Sequence, residues 1–214
     1  MTDLFREIDE EVQKDKALAW WKKNSKFVYG LAVVIVLGSA GYKGWEAYET
    51  NRRAENSEAY AAALQQLTDG NLAAGQTALS ELADPSAGGY GVLATFEQAR
   101  MSLDEGDLAG ATALWDQIAA APEAGNAFQG VATLLSVLHQ LDGGDPADLQ
   151  ARLDPLTEAS SPFRPSALEL SALLALRDGD EAKALSLYTD VADDFNAPPA
   201  LRTRAAQMID ALQE

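Results

Sequence analysis

Cysteine is absent from the 214 residues, which excludes disulfides, thiolate zinc sites, catalytic thiols and a lipid-modified cysteine. Histidine occurs once, as His139. Without a second imidazole or a thiol it is a poor metal ligand or base, and its apolar surroundings, Phe128 to Leu141, read as a core helix or helix end. Strand alternation is missing throughout, so no sheet is expected. Basic residues are scarce after position 26, where ten stand against 27 acids, and the net charge is -17. A body that acidic repels nucleic acid and anionic membrane surfaces alike.

Recognisable catalytic or ligand motifs are also wanting. Asp142-Gly-Gly-Asp145 and Asp178-Gly-Asp180-Glu181 lack the spacing of a twelve-residue calcium loop and read as turns between helices. Gly88-Gly89-Tyr90-Gly91 follows no strand, so it is a link between repeats and not a phosphate loop. Asp193 and Asp194 are adjacent, and on a helix they diverge by about 100 degrees, too far to act as an acid/base pair. No catalytic residue, cofactor or metal site is expected.

What is present begins with one uncharged run, Phe27 to Tyr42, closed by Lys43, Gly44 and Trp45. A helix needs roughly 20 mostly apolar residues to cross a hydrocarbon core, and residues 27–45 satisfy this if Lys43 snorkels outward. Trp20 and Trp21 on one side, with Trp45 and Tyr48 on the other, match an aromatic belt at each interface. Six basic residues precede the run, including Lys22, Lys23 and Lys26, and only Lys43, Arg52 and Arg53 follow closely. The positive-inside rule then puts the N-terminus in the cytoplasm. Gly38, Gly41 and Gly44 are candidate positions for close packing by another transmembrane helix. A cleaved leader is the minority reading, because 26 residues with six acids precede the run and Gly38-Ser39-Ala40 only imitates a cleavage site.

Three segments follow: a cytoplasmic amphipathic stretch over 1–26, a transmembrane helix over 27–45, and an extracytoplasmic helical domain over 46–214. In the first, Leu4, Phe5, Ile8 and Val12 fall at helical spacing. In the last, the 3.6-residue period predicts helices near 46–69, 71–83, 89–104, 107–120, 125–141, 146–159, 165–177, 180–194 and 199–213.

A repeat organises that domain. Gly70, Gly106, Gly143 and Gly179 recur 36, 37 and 36 residues apart, each between two predicted helices. Gly106-Asp107 is followed by Ala111, Trp115 and Ile118, and Gly179-Asp180 by Ala184, Tyr188 and Val191 at the same offsets. Glycine ends one helix in a left-handed conformation and aspartate caps the next. The small alanine admits a close partner, and the aromatic fills the space between repeats. The third unit departs from the pattern: Leu149 takes the small position, and Pro155 should shorten or bend its second helix. The fold class is therefore all-α, a single N-terminal transmembrane helix followed by an α-solenoid of about four helical hairpins plus a capping helix. Tyr60, Leu64, Phe96 and Leu134 are candidates for a groove that holds an apolar protein segment. A carboxylate clamp is not expected, since the inner helices offer little beyond Arg100 and Arg177.

The Gly-Asp, Ala and aromatic spacing resembles the tetratricopeptide repeat. Three further stretches are Phe5-Arg6-Glu7-Ile8-Asp9-Glu10-Glu11, Pro162-Phe163-Arg164 leading into Ala167-x-Glu169-Leu170, and Leu201-Arg202-x-Arg204-Ala205. With the order of anchor and repeats, they make the whole chain resemble the YfgM-type family of single-span bacterial inner-membrane proteins with a periplasmic tetratricopeptide-like domain. The resemblance implies a non-enzymatic ancillary subunit of the SecYEG translocon that cooperates with a PpiD-type periplasmic chaperone in handling translocated proteins. A structural adaptor for cell-envelope assembly or division is the alternative.

Overall fold

A computed structural model describes residues 2–214, with side chains described for 14, 16, 18–27, 29–31 and 33–214. Nine α-helices appear among the described residues, and no strand: α1 (Thr2–Thr68), α2 (Leu72–Leu82), α3 (Gly89–Asp104), α4 (Leu108–Ala120), α5 (Gly125–Gln140), α6 (Pro146–Leu153), α7 (Arg164–Arg177), α8 (Glu181–Asp193) and α9 (Pro199–Gln213). Short 3-10 turns lie at Pro85–Ala87, Pro122–Ala124 and Asp154–Leu156. Two compact units divide the chain, Met1–Ala54 and Glu55–Glu214.

In the first unit, the apolar run lies within α1, and it is long and apolar enough to cross a membrane. The described side chains from Phe27 to Trp45 are exposed, Phe27 to the extent of 77%. A core helix would bury such a run, and this one is bare. Trp21 and Tyr29 meet edge to face at 5.9 Å, and Lys43 pairs with Glu46 at 2.7 Å. The face predicted from Leu4, Phe5, Ile8 and Val12 lies outside the described side chains.

The second unit is built from hairpins, and its turns follow from glycine. At Gly70, Gly106 and Gly179 the backbone is left-handed, with φ of 83°, 81° and 78°. Each glycine N–H donates to the carbonyl three residues back, and the next residue's N–H reaches five back: Asn71 to Gln66 at 2.9 Å, Asp107 to Ser102 at 2.8 Å and Asp180 to Ala175 at 2.8 Å. These are Schellman closures, which satisfy carbonyls that the helix end leaves open. Asp107 and Asp180 then accept from the N–H groups of Gly110 and Lys183, both at 2.9 Å, and so cap α4 and α8.

Gly143 behaves differently from its three counterparts. It is not among the left-handed glycines, and its turn closes through Gly143 and Gly144 N–H groups, which both donate to the Gln140 carbonyl at 3.2 and 2.8 Å. Arg177 on α7 donates to the carbonyls of Leu141 and Gly144, so a side chain one repeat later supplies the closure. In the same unit, α6 stops at Leu153, short of the predicted 159. Pro155 lacks the N–H that would continue the helix, and the chain tightens into a 3-10 turn.

Four apolar clusters run through this unit. Ala63, Leu79 and Ala94 join the end of α1 to α2 and α3. Val92, Ala111, Trp115 and Ala132 join α3, α4 and α5, and Val137, Leu149, Leu153 and Leu170 join α5, α6 and α7. Leu168, Ala184, Tyr188 and Leu201 join α7, α8 and α9. Each of α3, α5 and α7 thus contributes to two consecutive clusters, as stacked repeats require. The repeat positions are the core: Ala111 and Ala184 are fully buried, Trp115 is 3% exposed and Tyr188 1%.

A Cβ at Gly91 would collide with the Asp84 backbone carbonyl and stand 3.3 Å from that of Leu82, neither of which can swing aside. Gly91→Ala should therefore cost about 1–3 kcal/mol in chemical denaturation, while Gly41→Ala, with nothing within 4 Å, should cost nothing and favour the helix by up to about 1 kcal/mol. The Tyr188 hydroxyl is buried without a partner, and burial first, then the Glu169 charge, pushes its pKa above the ordinary value of 10.0. Folding favours the neutral phenol, so stability is complete below that value and falls as pH rises through it, where the unfolded chain ionises more readily. Tyr188→Phe should change stability at neutral pH by no more than about 1 kcal/mol and should flatten the alkaline decline.

Candidate protein-binding surfaces

The N-terminal half of α5 packs on α3 and α4 through Phe128 and Ala132, and the shortened α6 leaves its other face without a helix along its full length. The segment between the 3-10 turn Asp154–Leu156 and α7 covers part of the gap. Phe163, just before α7, lies so close to the buried Gly130 on α5 that a Cβ there would overlap its ring. What remains is a groove of about 670 Å³ between Asn126, Gly130 and Thr133 on α5 and Arg152, Leu156 and Phe163 opposite. A second hollow of about 440 Å³ adjoins it through Thr133 and Arg152 and reaches Asp116 on α4 and Asp148 on α6.

A polar cluster fixes one wall. Ser136 on α5 is fully buried, and its hydroxyl donates to Asp116 at 2.7 Å. The same oxygen accepts from Arg152 and from Gln140 Nε2, both at 2.9 Å. Arg152 also pairs directly with Asp116. One donor and two acceptor positions on a single hydroxyl are thereby all used. Three consecutive helices, α4, α5 and α6, are clasped at one point, which holds the short α6 in register.

The residues proposed from sequence for an apolar groove are distributed differently. Tyr60 is half-buried beside the first cluster with its ring 5.7 Å from Tyr90, and burial raises its pKa. Leu64 is half-buried one turn further along α1. Phe96 packs on the second cluster with its ring 6.1 Å from Phe128, and Leu134 packs on the third. Tyr60, Phe96 and Leu134 thus belong to three successive layers of the stack, and none of the four side chains lines the two hollows over α5. Gly38, Gly41 and Gly44 are exposed on α1, with nothing within 4 Å of an added Cβ. His139 sits in α5 with its ring 4.8 Å from Trp115 and Nδ1 2.9 Å from the Leu135 carbonyl.

Sequence reasoning missed the clasp, although a signal for it exists. Asp116 and Arg152 are 36 residues apart, as are Leu141 and Arg177, and Glu169 and Arg204 are 35 apart. That separation is one repeat. Opposite charges offset by the repeat length mark the seams between neighbouring hairpins.

With the hairpins, their glycine turns and the shared cores in view, the family is defined. The family model of the tetratricopeptide repeat-like domain matches residues 18–213. The chain belongs to the tetratricopeptide repeat-like domain family. Neither the curated proteins nor the solved structures contain a match to it.

Removing the central hydroxyl tests the clasp. Ser136→Ala leaves Asp116 and Arg152 to each other but strips a bond from each and from Gln140. It should cost about 1–3 kcal/mol, read in urea denaturation, whereas Ser80→Ala at an exposed position of α2 should cost less than about 0.5 kcal/mol.

Proposed function

We propose that the protein is a membrane-anchored, non-catalytic scaffold that binds other proteins at the outer face of the bacterial inner membrane. The observation that carries this reading is the pairing of a bare, uncharged helical run with a tetratricopeptide-like repeat domain. An exposed apolar surface of this kind calls for lipid or another helix to cover it. Residues 27–45 form the span, residues 1–26 lie in the cytoplasm and residues 46–214 form the periplasmic domain, an orientation supported by the basic residues before the run.

The resemblance to the YfgM-type family supports a finer assignment: an ancillary subunit of the SecYEG translocon that works with a PpiD-type chaperone on translocated polypeptides. In that setting Tyr60, Leu64, Phe96 and Leu134 belong to the protein-binding domain. Gly38, Gly41 and Gly44 offer the span a close-packing face toward a neighbouring transmembrane helix.

Affinity purification from detergent-solubilised native membranes should recover translocon subunits together with a periplasmic peptidyl-prolyl isomerase, and recovery of neither contradicts the assignment. A C-terminal alkaline phosphatase fusion should be active, and protease added to spheroplasts should digest the repeat domain. An inactive fusion would reverse the orientation.

A further inference from the structure

The groove over α5 lies in a charge setting that selects its occupant. Residues 55–214 hold 25 acidic and seven basic side chains. Five of the basic ones are engaged within the fold. Arg100 binds Glu97 and Asp104, Arg152 binds Asp116, Arg164 binds Asp194 and Arg204 binds Glu169. Arg177 donates to two carbonyls of the α5–α6 turn.

Arg152 is the one basic residue lining the two hollows, and its charge is already matched. Around it the exposed acids are unmatched by cations in number: Asp148 lines the smaller hollow, Asp154 and Glu158 bracket Pro155 and Leu156, and Glu123 stands just ahead of α5. The lining itself is largely apolar, with Ala127, Gly130, Pro155, Leu156, Pro162 and Phe163. The volume falls in the range of about 300–1,000 Å³ typical of ligand clefts.

We infer that this groove binds an unfolded polypeptide segment in which apolar side chains alternate with or adjoin Lys or Arg. Apolar side chains fill the hollow beside Phe163 and Leu156, and the basic groups face Asp148, Asp154, Glu158 and Glu123. An anionic or phosphorylated segment meets like charge there without a free cation to receive it, and a second copy of this chain brings the same negative surface. The inference rests on the scaffold reading above and specifies which chains the scaffold holds and where.

The test is a fluorescence-anisotropy titration of the intact chain in phosphatidylcholine nanodiscs. Three short labelled peptides serve as probes: one alternating Leu or Phe with Lys, one with every Lys replaced by Glu, and one with every apolar residue replaced by Ser. The first should bind at least about tenfold more tightly than either of the others, and its binding should weaken as salt is raised. Ala127→Trp fills the exposed floor from a position outside the hydrogen-bonded cluster and should weaken binding about tenfold with an unchanged thermal melt. Ser160→Trp blocks the opposite wall and should act alike. Equal binding of the Lys and Glu peptides, or unaltered affinity in both blocked variants, would overturn the inference. Translocon subunits recovered alongside such a result would leave the scaffold reading standing and remove only the groove assignment.

Discussion

The repeat unit depends on one constraint: α3, α5 and α7 each serve two cores at once. A hairpin of this size buries its apolar faces only by lying against its neighbours, so no layer is stable alone. The small residues and aromatics at the repeat positions meet that requirement. Ala111 and Ala184 bring helices close, and Trp115 and Tyr188 fill what lies between them. Glycine turns fix how each hairpin reverses, and the cap aspartates fix where the next helix begins.

The third hairpin is where the stack is modified, and the modification creates the groove. Pro155 ends α6 after two turns, and an aromatic from the following segment, Phe163, presses on a glycine of α5. A helix that short has little propensity to persist unaided. The Asp116–Ser136–Arg152 clasp and the Arg177 bonds to the α5–α6 turn replace the packing a longer helix would have made. Those same bonds occupy donors of both arginines, so the groove opens into an acidic field. Architecture and charge selection thus have a common origin in the early stop of one helix.

Much of this was legible in the sequence because it is local. Helical periodicity, Gly-Asp turns and the break at Pro155 act over a few residues, and α2 to α5 and α7 to α9 lie close to where the pattern places them, whereas α6 is shorter and the helix predicted over 46–69 is the end of the longer α1. Gly143 is not left-handed like the other repeat glycines, and the bonds that Arg177 adds to its turn come from 33 and 36 residues away, beyond what a local pattern reports. The clasp and the Glu169–Arg204 pair were hidden for the same reason: periodicity within a helix does not report contacts between repeats. Glu169 and Arg204, which carried part of the family resemblance, prove to be partners that tie α7 to α9. The apolar candidates Tyr60, Phe96 and Leu134 were legible as hydrophobic helix positions, and they pack half-buried on the first, second and third clusters.

Polar bonds across the repeat seam hold the short third hairpin as firmly as its neighbours. Hydrogen exchange of the intact chain, read peptide by peptide, measures this directly. Amides of α6 should be protected to the same degree as those of α4 and α8, while the segment 157–163 exchanges much faster. Exchange of α6 together with that segment, while α4 and α8 stay protected, would contradict the account.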